Sequence, residues 1–345
     1  MSKNNNDPQC CEKFKSKIGG QALIEGIMML GPNTGAMACR MPDGSIDLET
    51  WEENNGKNAP WYKKTPLIRG CTNFVISLAK GYKYMMKSAD KQLAAELKAQ
   101  EEEEKKKQSE NAEDASEANA AEEKSKAPEK SDKKDEKEGS GYDIFMYIGI
   151  VVGVVLAIGL FVFLPKWIVG FIPGIKEKRI LRSIVEGVVK IAIFVGYMAL
   201  VSLAKDIKRQ YMYHGAEHKT IACHEAELPL TVENVRKQTR FHKRCGTSFI
   251  FIVLLVSIFV MCFVPFTVTW QRIVASLILL PLVVGISYEC IRLAGNKDNL
   301  FTRILSAPGL AMQRITTKEP DDSMIEIAIA ALTPCIPKDK EEDKW

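Results

Sequence analysis

Histidine is scarce in this chain: four occur in 345 residues, and none lies outside the stretch from Tyr213 to Phe249. Other absences narrow the field. Met1 to Lys17 has no apolar core of the kind a cleaved export signal needs, so any membrane insertion is expected to come from internal segments. The net charge of +4 gives no large basic excess, which excludes a strongly basic nucleic-acid binder. Nine cysteines, an odd number without framework spacing, read as reduced thiols rather than a secreted disulfide scaffold. There is no phosphate-binding glycine loop, dinucleotide fingerprint or serine nucleophile elbow, so ATP-driven chemistry is disfavoured. From Lys91 to Gly141 there is no aromatic residue at all, and such a segment cannot bury a core.

What is present is segregated, with charge in one linker and apolar residues in long runs. Ile144 to Leu164 is uninterrupted and long enough to cross a hydrocarbon core as a helix. Gly149 and Gly153 inside it make a G-x-x-x-G that could pack on another helix. Further spans are expected at Ile184 to Ala204, Phe249 to Val268 and Ile273 to Leu293. In the second, Arg182, Glu186 and Lys190 recur every four residues and are costly against lipid. They fit either interfacial snorkelling or a functional relay.

The expected fold is therefore an α-helical integral membrane protein with about four transmembrane helices and a small N-terminal α+β cytosolic domain. Residues 1–17 form a disordered tail and 18–90 the α+β domain. Within it, Gly35 to Met41, a Pro42-Asp43-Gly44 turn and Ser45 to Glu49 predict a hairpin. An amphipathic helix follows from Leu67 to about Ala89, packed within the domain or lying on a membrane surface with Lys80, Lys83 and Lys87 flanking its stripe. Residues 91–141 are a charged flexible linker whose first part, Leu93 to Lys107, could prolong that helix. Residues 142–204 carry spans one and two, 205–248 a cytoplasmic segment and 249–293 spans three and four. A C-terminal segment, 294–335, ends in a short helix that Ser323 and Glu326 would cap, and 336–345 is a tail. Lys205, Lys208, Arg209, Arg240, Lys243 and Arg244 place the 205–248 segment and both termini inside the cell membrane, although Lys166, Lys176, Lys178 and Arg179 weigh on the other side. A homo-oligomer is compatible with this layout.

The histidines carry the chemistry. His214, Glu217 and His218 form H-x-x-E-H, which on a helix puts both imidazoles on one face beside a carboxylate. His242 and Cys245 add H-x-x-C. These donors suit a divalent cation, with zinc expected. Candidate third ligands, in order of preference, are His242, Glu289 and Cys245, with Glu225 a further metal-site or supporting residue. His224 fits a surface imidazole. Glu217 is the candidate catalytic base. A closed shell of His214, His218, His242 and Cys245 would instead be structural.

Five motifs carry a resemblance: Gly19-Gly20-Gln21-Ala22 with Ile24-Glu25-Gly26, Tyr213 to Lys219, Arg244 to Phe249, Gly285 to Glu289, and Thr316 to Asp322. Together they resemble the bacterial YqhQ-like family, a membrane family catalogued as predicted metal-dependent enzymes. The resemblance implies a metal-dependent activity carried on His214, Glu217, His218 and His242, and supplies no substrate. His224 stands where an aromatic is expected in relatives, and the charged linker is longer than the family requires. The expected function is hydrolysis of a peptide or lipid-linked substrate at the cytoplasmic face of the bilayer. The alternatives are a metal-stabilised scaffold or assembly factor, or an oligomeric transporter. The roles of Gln21 and Glu25 are left open.

Overall fold

In the computed structural model, residues 14–55, 60–116, 139–296 and 299–344 are described. The expectations for residues 1–13, 56–59, 117–138, 297–298 and 345 lie outside them. Four short strands, β1 (Gly19–Leu23), β2 (Gly26–Leu30), β3 (Thr34–Arg40) and β4 (Ile46–Glu52), form an antiparallel meander in sequence order. The expected hairpin is the β3–β4 pair, with Arg40 opposite Ile46.

Side chains alternate across a strand, so this sheet has two apolar faces. Ala22, Ile27, Met29, Ala36 and Ala38 face one way, into a core shared with Tyr213, Ala216, Met324, Ile325 and Ala328. Leu23, Met28, Met37 and Cys39 face the other way, toward Tyr84, where Trp51 also packs. Tyr84 belongs to α1 (Ile68–Ser116). That helix continues through Leu93 to Lys107 rather than stopping at the start of the charged stretch, since Glu, Lys and Ala are good helix formers even where little is buried. Lysines on its inner face meet acids of β4 and just beyond: Lys87 pairs with Glu49, Lys91 with Asp47 and Lys80 with Glu53.

Among the described residues, two helical stretches are long and apolar enough to cross a membrane. The first is Ile148–Gly170, made of α2 (Gly139–Ile158), a π-helical turn and α3 (Leu164–Gly170); the second is α4 (Arg179–Val201). A third exists if the bent pair α8 (Thr269–Ile278) and α9 (Leu280–Asn296) counts as one span, with 53° between its halves. The four expected spans therefore reduce to two or three by length and composition. Proline explains the difference. Pro281, in the first turn of α9, has no N–H to continue α8. The expected third span shortens to α7 (Gly246–Cys262), 17 residues, because the chain must leave helical geometry before Pro265.

The other helices pack partly on these and mostly on the sheet and one another. They are α5 (Lys205–Glu225), α6 (Val232–Arg236), α10 (Leu300–Thr316), α11 (Asp322–Leu332) and α12 (Lys340–Asp343). The α11 cap is Asp321, whose carboxylate accepts from the Met324 N–H at 2.9 Å, not Ser323 as expected. Ser323 donates to Asp321, and Glu326 pairs with Arg40 instead. The chain ends also depart from the expected tails. Ser16 is buried, donates to Asp343 at 2.7 Å and bridges to Lys344.

Candidate metal centre

Helix α5 continues from α4 after a short break at Ser202 to Ala204 and carries the H-x-x-E-H motif against β1. Glycine permits its tight seat, for a Cβ at Gly215 would stand 2.0 Å from the Lys318 carbonyl oxygen. One turn apart, the rings of His214 and His218 lie 4.4 Å from each other. Cys245 arrives from the N-cap of α7.

Each histidine is oriented by a backbone carbonyl. His214 Nδ1 is 2.9 Å from the Thr316 oxygen, and His218 Nδ1 is 2.6 Å from the Arg240 oxygen. A carbonyl oxygen only accepts, so both Nδ1 atoms carry a proton, and each Nε2 presents a lone pair whenever its ring is neutral. His214 Nε2 reaches Cys245 Sγ at 3.2 Å, while His218 Nε2 is buried with no hydrogen-bond partner. One ligand atom from each of His214, His218 and Cys245 lies within 4.8 Å of the other two. Fixing the tautomer through Nδ1 is how protein scaffolds prepare imidazoles for a metal.

The electrostatics follow from burial and proximity. Burial opposes ionisation of the Cys245 thiol, but the charges of His214 and His218 and the hydrogen bond with His214 hold its pKa well below the ordinary value. Burial likewise disfavours charge on His214, yet Cys245 raises it to about 9. Together they favour a thiolate–imidazolium pair at neutral pH when no cation is bound. Burial raises the Glu217 carboxyl, with His214 and His218 pulling the other way. The Gly20 amide faces that carboxyl, and its Oε2 is buried with no partner.

The remaining candidates sit elsewhere. The His242 ring is 5.6 Å from that of His218, but its Nε2 faces Glu225, 3.7 Å away, and Arg244. Its N–H donates to Gln313 Oε1 at 2.8 Å and its carbonyl accepts from Gln313 Nε2 at 2.7 Å, which fixes this turn of chain. Burial, with Arg244 and His218 nearby, lowers the His242 pKa against Glu225. Glu225 binds Arg244 and accepts from the Ser16 amide at 2.9 Å. Glu289 is ion-paired with Arg69 of α1 and accepts from the Leu67 amide. His224 pairs with Asp343 at 2.8 Å. Glu25 binds Arg209 and accepts from the Tyr213 hydroxyl at 3.0 Å, and Gln21 packs on Gly81. Sequence reasoning could not see the Thr316 and Arg240 carbonyls, since a backbone acceptor has no residue signature.

Fold and site together define a predominantly helical protein with helices of membrane-crossing length and a two-histidine, one-cysteine cluster beside them. The chain belongs to the family described as "Protein of unknown function (DUF1385)", whose model matches residues 65–338. It is 32% identical over 320 residues to the "Uncharacterized protein YqhQ" of Bacillus subtilis (strain 168), covering 92% of this chain and 91% of that protein. No solved structure matches. The resemblance drawn from the five motifs is thus a family membership.

Proposed function

We propose that this is a multi-pass membrane protein with a zinc-dependent hydrolytic centre on its cytoplasmic side, acting on a peptide or lipid-linked substrate. One observation carries the reading: both imidazoles lock Nδ1–H onto carbonyls and turn Nε2 toward a cysteine whose burial does not keep it protonated. The donor set fits the ion. Two nitrogens and a sulfur suit a borderline-soft tetrahedral cation, and the unpartnered buried Nε2 of His218 costs free energy unless something accepts its lone pair.

His214, His218 and Cys245 would hold the metal. Three protein ligands is the number found in catalytic zinc sites, whereas structural sites take four. When bound, zinc supplies Lewis acidity and brings the pKa of water toward neutrality. Glu217 supplies the base. Its buried carboxyl, raised from the ordinary glutamate range, is tuned toward the pH at which it can accept a proton at Oε2 and return it to a leaving group. The clustered Lys205, Lys208, Arg209, Arg240, Lys243 and Arg244, with reduced thiols, support the cytoplasmic orientation.

A structural metal is the second reading. It is favoured by the site's construction from α5, the start of α7, the end of α10 and the turn at Arg240, four segments that an ion would tie together. Complementation separates the two. In cells lacking the protein, peptide and lipid-linked profiles of the membrane fraction are compared after restoring wild type, Glu217→Gln or His218→Ala. Hydrolysis predicts that both variants leave the same species uncleaved. A Glu217→Gln chain that restores the wild-type profile would instead establish the structural role.

A further inference from the structure

The charges of α4 that the sequence singles out lie at the end of that helix away from the histidines. Arg182 and Glu186, in its first two turns, are buried together with Arg272 of α8. Glu186 is saturated: Oε1 accepts from Arg182 at 2.8 Å and Oε2 from Arg272 at 3.0 Å. Arg182 also donates to Thr269 Oγ1, and Arg272 to Ser183 Oγ, so the two guanidiniums are locked in place.

Two lysines join this cluster without an acid of their own. Lys166, at the base of α3, is 2% exposed, and its ammonium has one neighbour among the hydrogen bonds of the described residues, the Val162 carbonyl at 3.3 Å. Lys190 is half-buried and reaches Ser257 Oγ at 3.4 Å. Among the described residues Glu186 is the one carboxylate that acts on Lys166, against the positive charges of Lys190, Arg272 and Arg182. With both lysines protonated, four cations share one anion between apolar helices, an arrangement that is costly unless a lysine gives up its proton or a further negative charge compensates it.

The two ammoniums line one cleft, with Ser183, Ser257 and Glu186, and its free space is about 10 Å³. That is room for one water-sized body, which excludes phosphate, carboxylates and lipid headgroups. The cleft is narrowed by tight packing of α4 on α7, where a Cβ at Gly187 would meet Ile258 at 2.2 Å.

We infer that the Lys166–Lys190 cleft is a binding site for a monatomic anion of the chloride class, held by the two ammoniums. The site is separate from the histidine cluster, at the opposite end of a helix roughly 35 Å long.

The test uses the full chain in detergent micelles, with sodium chloride or bromide compared with sodium gluconate at equal ionic strength. The wild type is expected to unfold at a higher temperature in either halide and to broaden the chloride NMR resonance, with bromide competing the broadening away. The double substitution Lys166→Met and Lys190→Met is expected to lose both effects. A wild type that neither broadens the resonance nor distinguishes halide from gluconate would overturn the site, as would a double variant that keeps both responses. If that variant does not fold, bromide-soaked wild-type crystals decide. An anomalous peak between the two ammoniums supports the inference, and its absence from a well-ordered cleft refutes it.

Discussion

His214 Nε2 stands 3.2 Å from Cys245 Sγ, although the two residues are 31 positions apart and belong to different helices. The thiol sits where α7 begins, between the Thr247 hydroxyl and the His214 imidazole, each at 3.2 Å. Such a pair would have to lose its protons before it could hold a metal, because a ligating thiol is a thiolate and a ligating imidazole is neutral.

Ligand removal should follow the geometry rather than the sequence order of preference. His218→Ala and Cys245→Ala are expected to weaken zinc by more than the roughly 10–100-fold that loss of an outer partner costs. His242→Ala and Glu289→Ala should keep the ion, since one ring turns to Glu225 and the other side chain is held by Arg69. Competition with a calibrated chelator measures all four.

Glu217→Gln is expected to retain the metal and lose turnover by about 100- to 10,000-fold, the range associated with a positioned general base. Once the complementation experiment has identified a cleaved species, its rate of cleavage measures this. Equal rates for variant and wild type would remove Glu217 from the chemistry.

Gly215→Ala should lower stability by about 1–3 kcal/mol, because its new methyl meets the backbone oxygen of Lys318, which cannot swing away. Gly149→Ala is the control. Nothing among the described residues lies within 4 Å of a Cβ there, so its unfolding temperature should match the wild type.

Stability should also depend on pH through Glu225. Burial raises its pKa, but the His242 hydrogen bond and the charge of Arg244 hold it below the ordinary value of 4.5. A depressed carboxylate binds fewer protons folded than unfolded, so its contribution is present above the unfolded value and fades as pH falls through the folded one. Thermal unfolding of Glu225→Gln should therefore differ from wild type at pH 7, and the gap should close below about pH 4.

That His214, Glu217 and His218 stand together on one helix was legible because spacing alone sets direction there. The place of Cys245 beside the two histidines was not legible in the same way. His242 and Cys245 are three positions apart on an irregular turn, and Gln313, far along the chain, decides which of them faces the cluster. Glu289 looked available because Arg69 is equally remote in sequence. Apolar runs showed where the long helices lie, while Pro265 and Pro281 shortened one and bent another in ways that an average over the run conceals. The α11 cap slipped by two residues because Asp321 and Ser323 are both good caps and local packing chose between them.

Metal analysis with X-ray absorption on the purified full-length protein bears most directly on the central claim. The account predicts one zinc per chain with one sulfur and two imidazole nitrogens around it, and loss of the sulfur signal in Cys245→Ser. A protein purified in zinc-containing medium that carries no metal, or whose metal shows no sulfur neighbour, would contradict it.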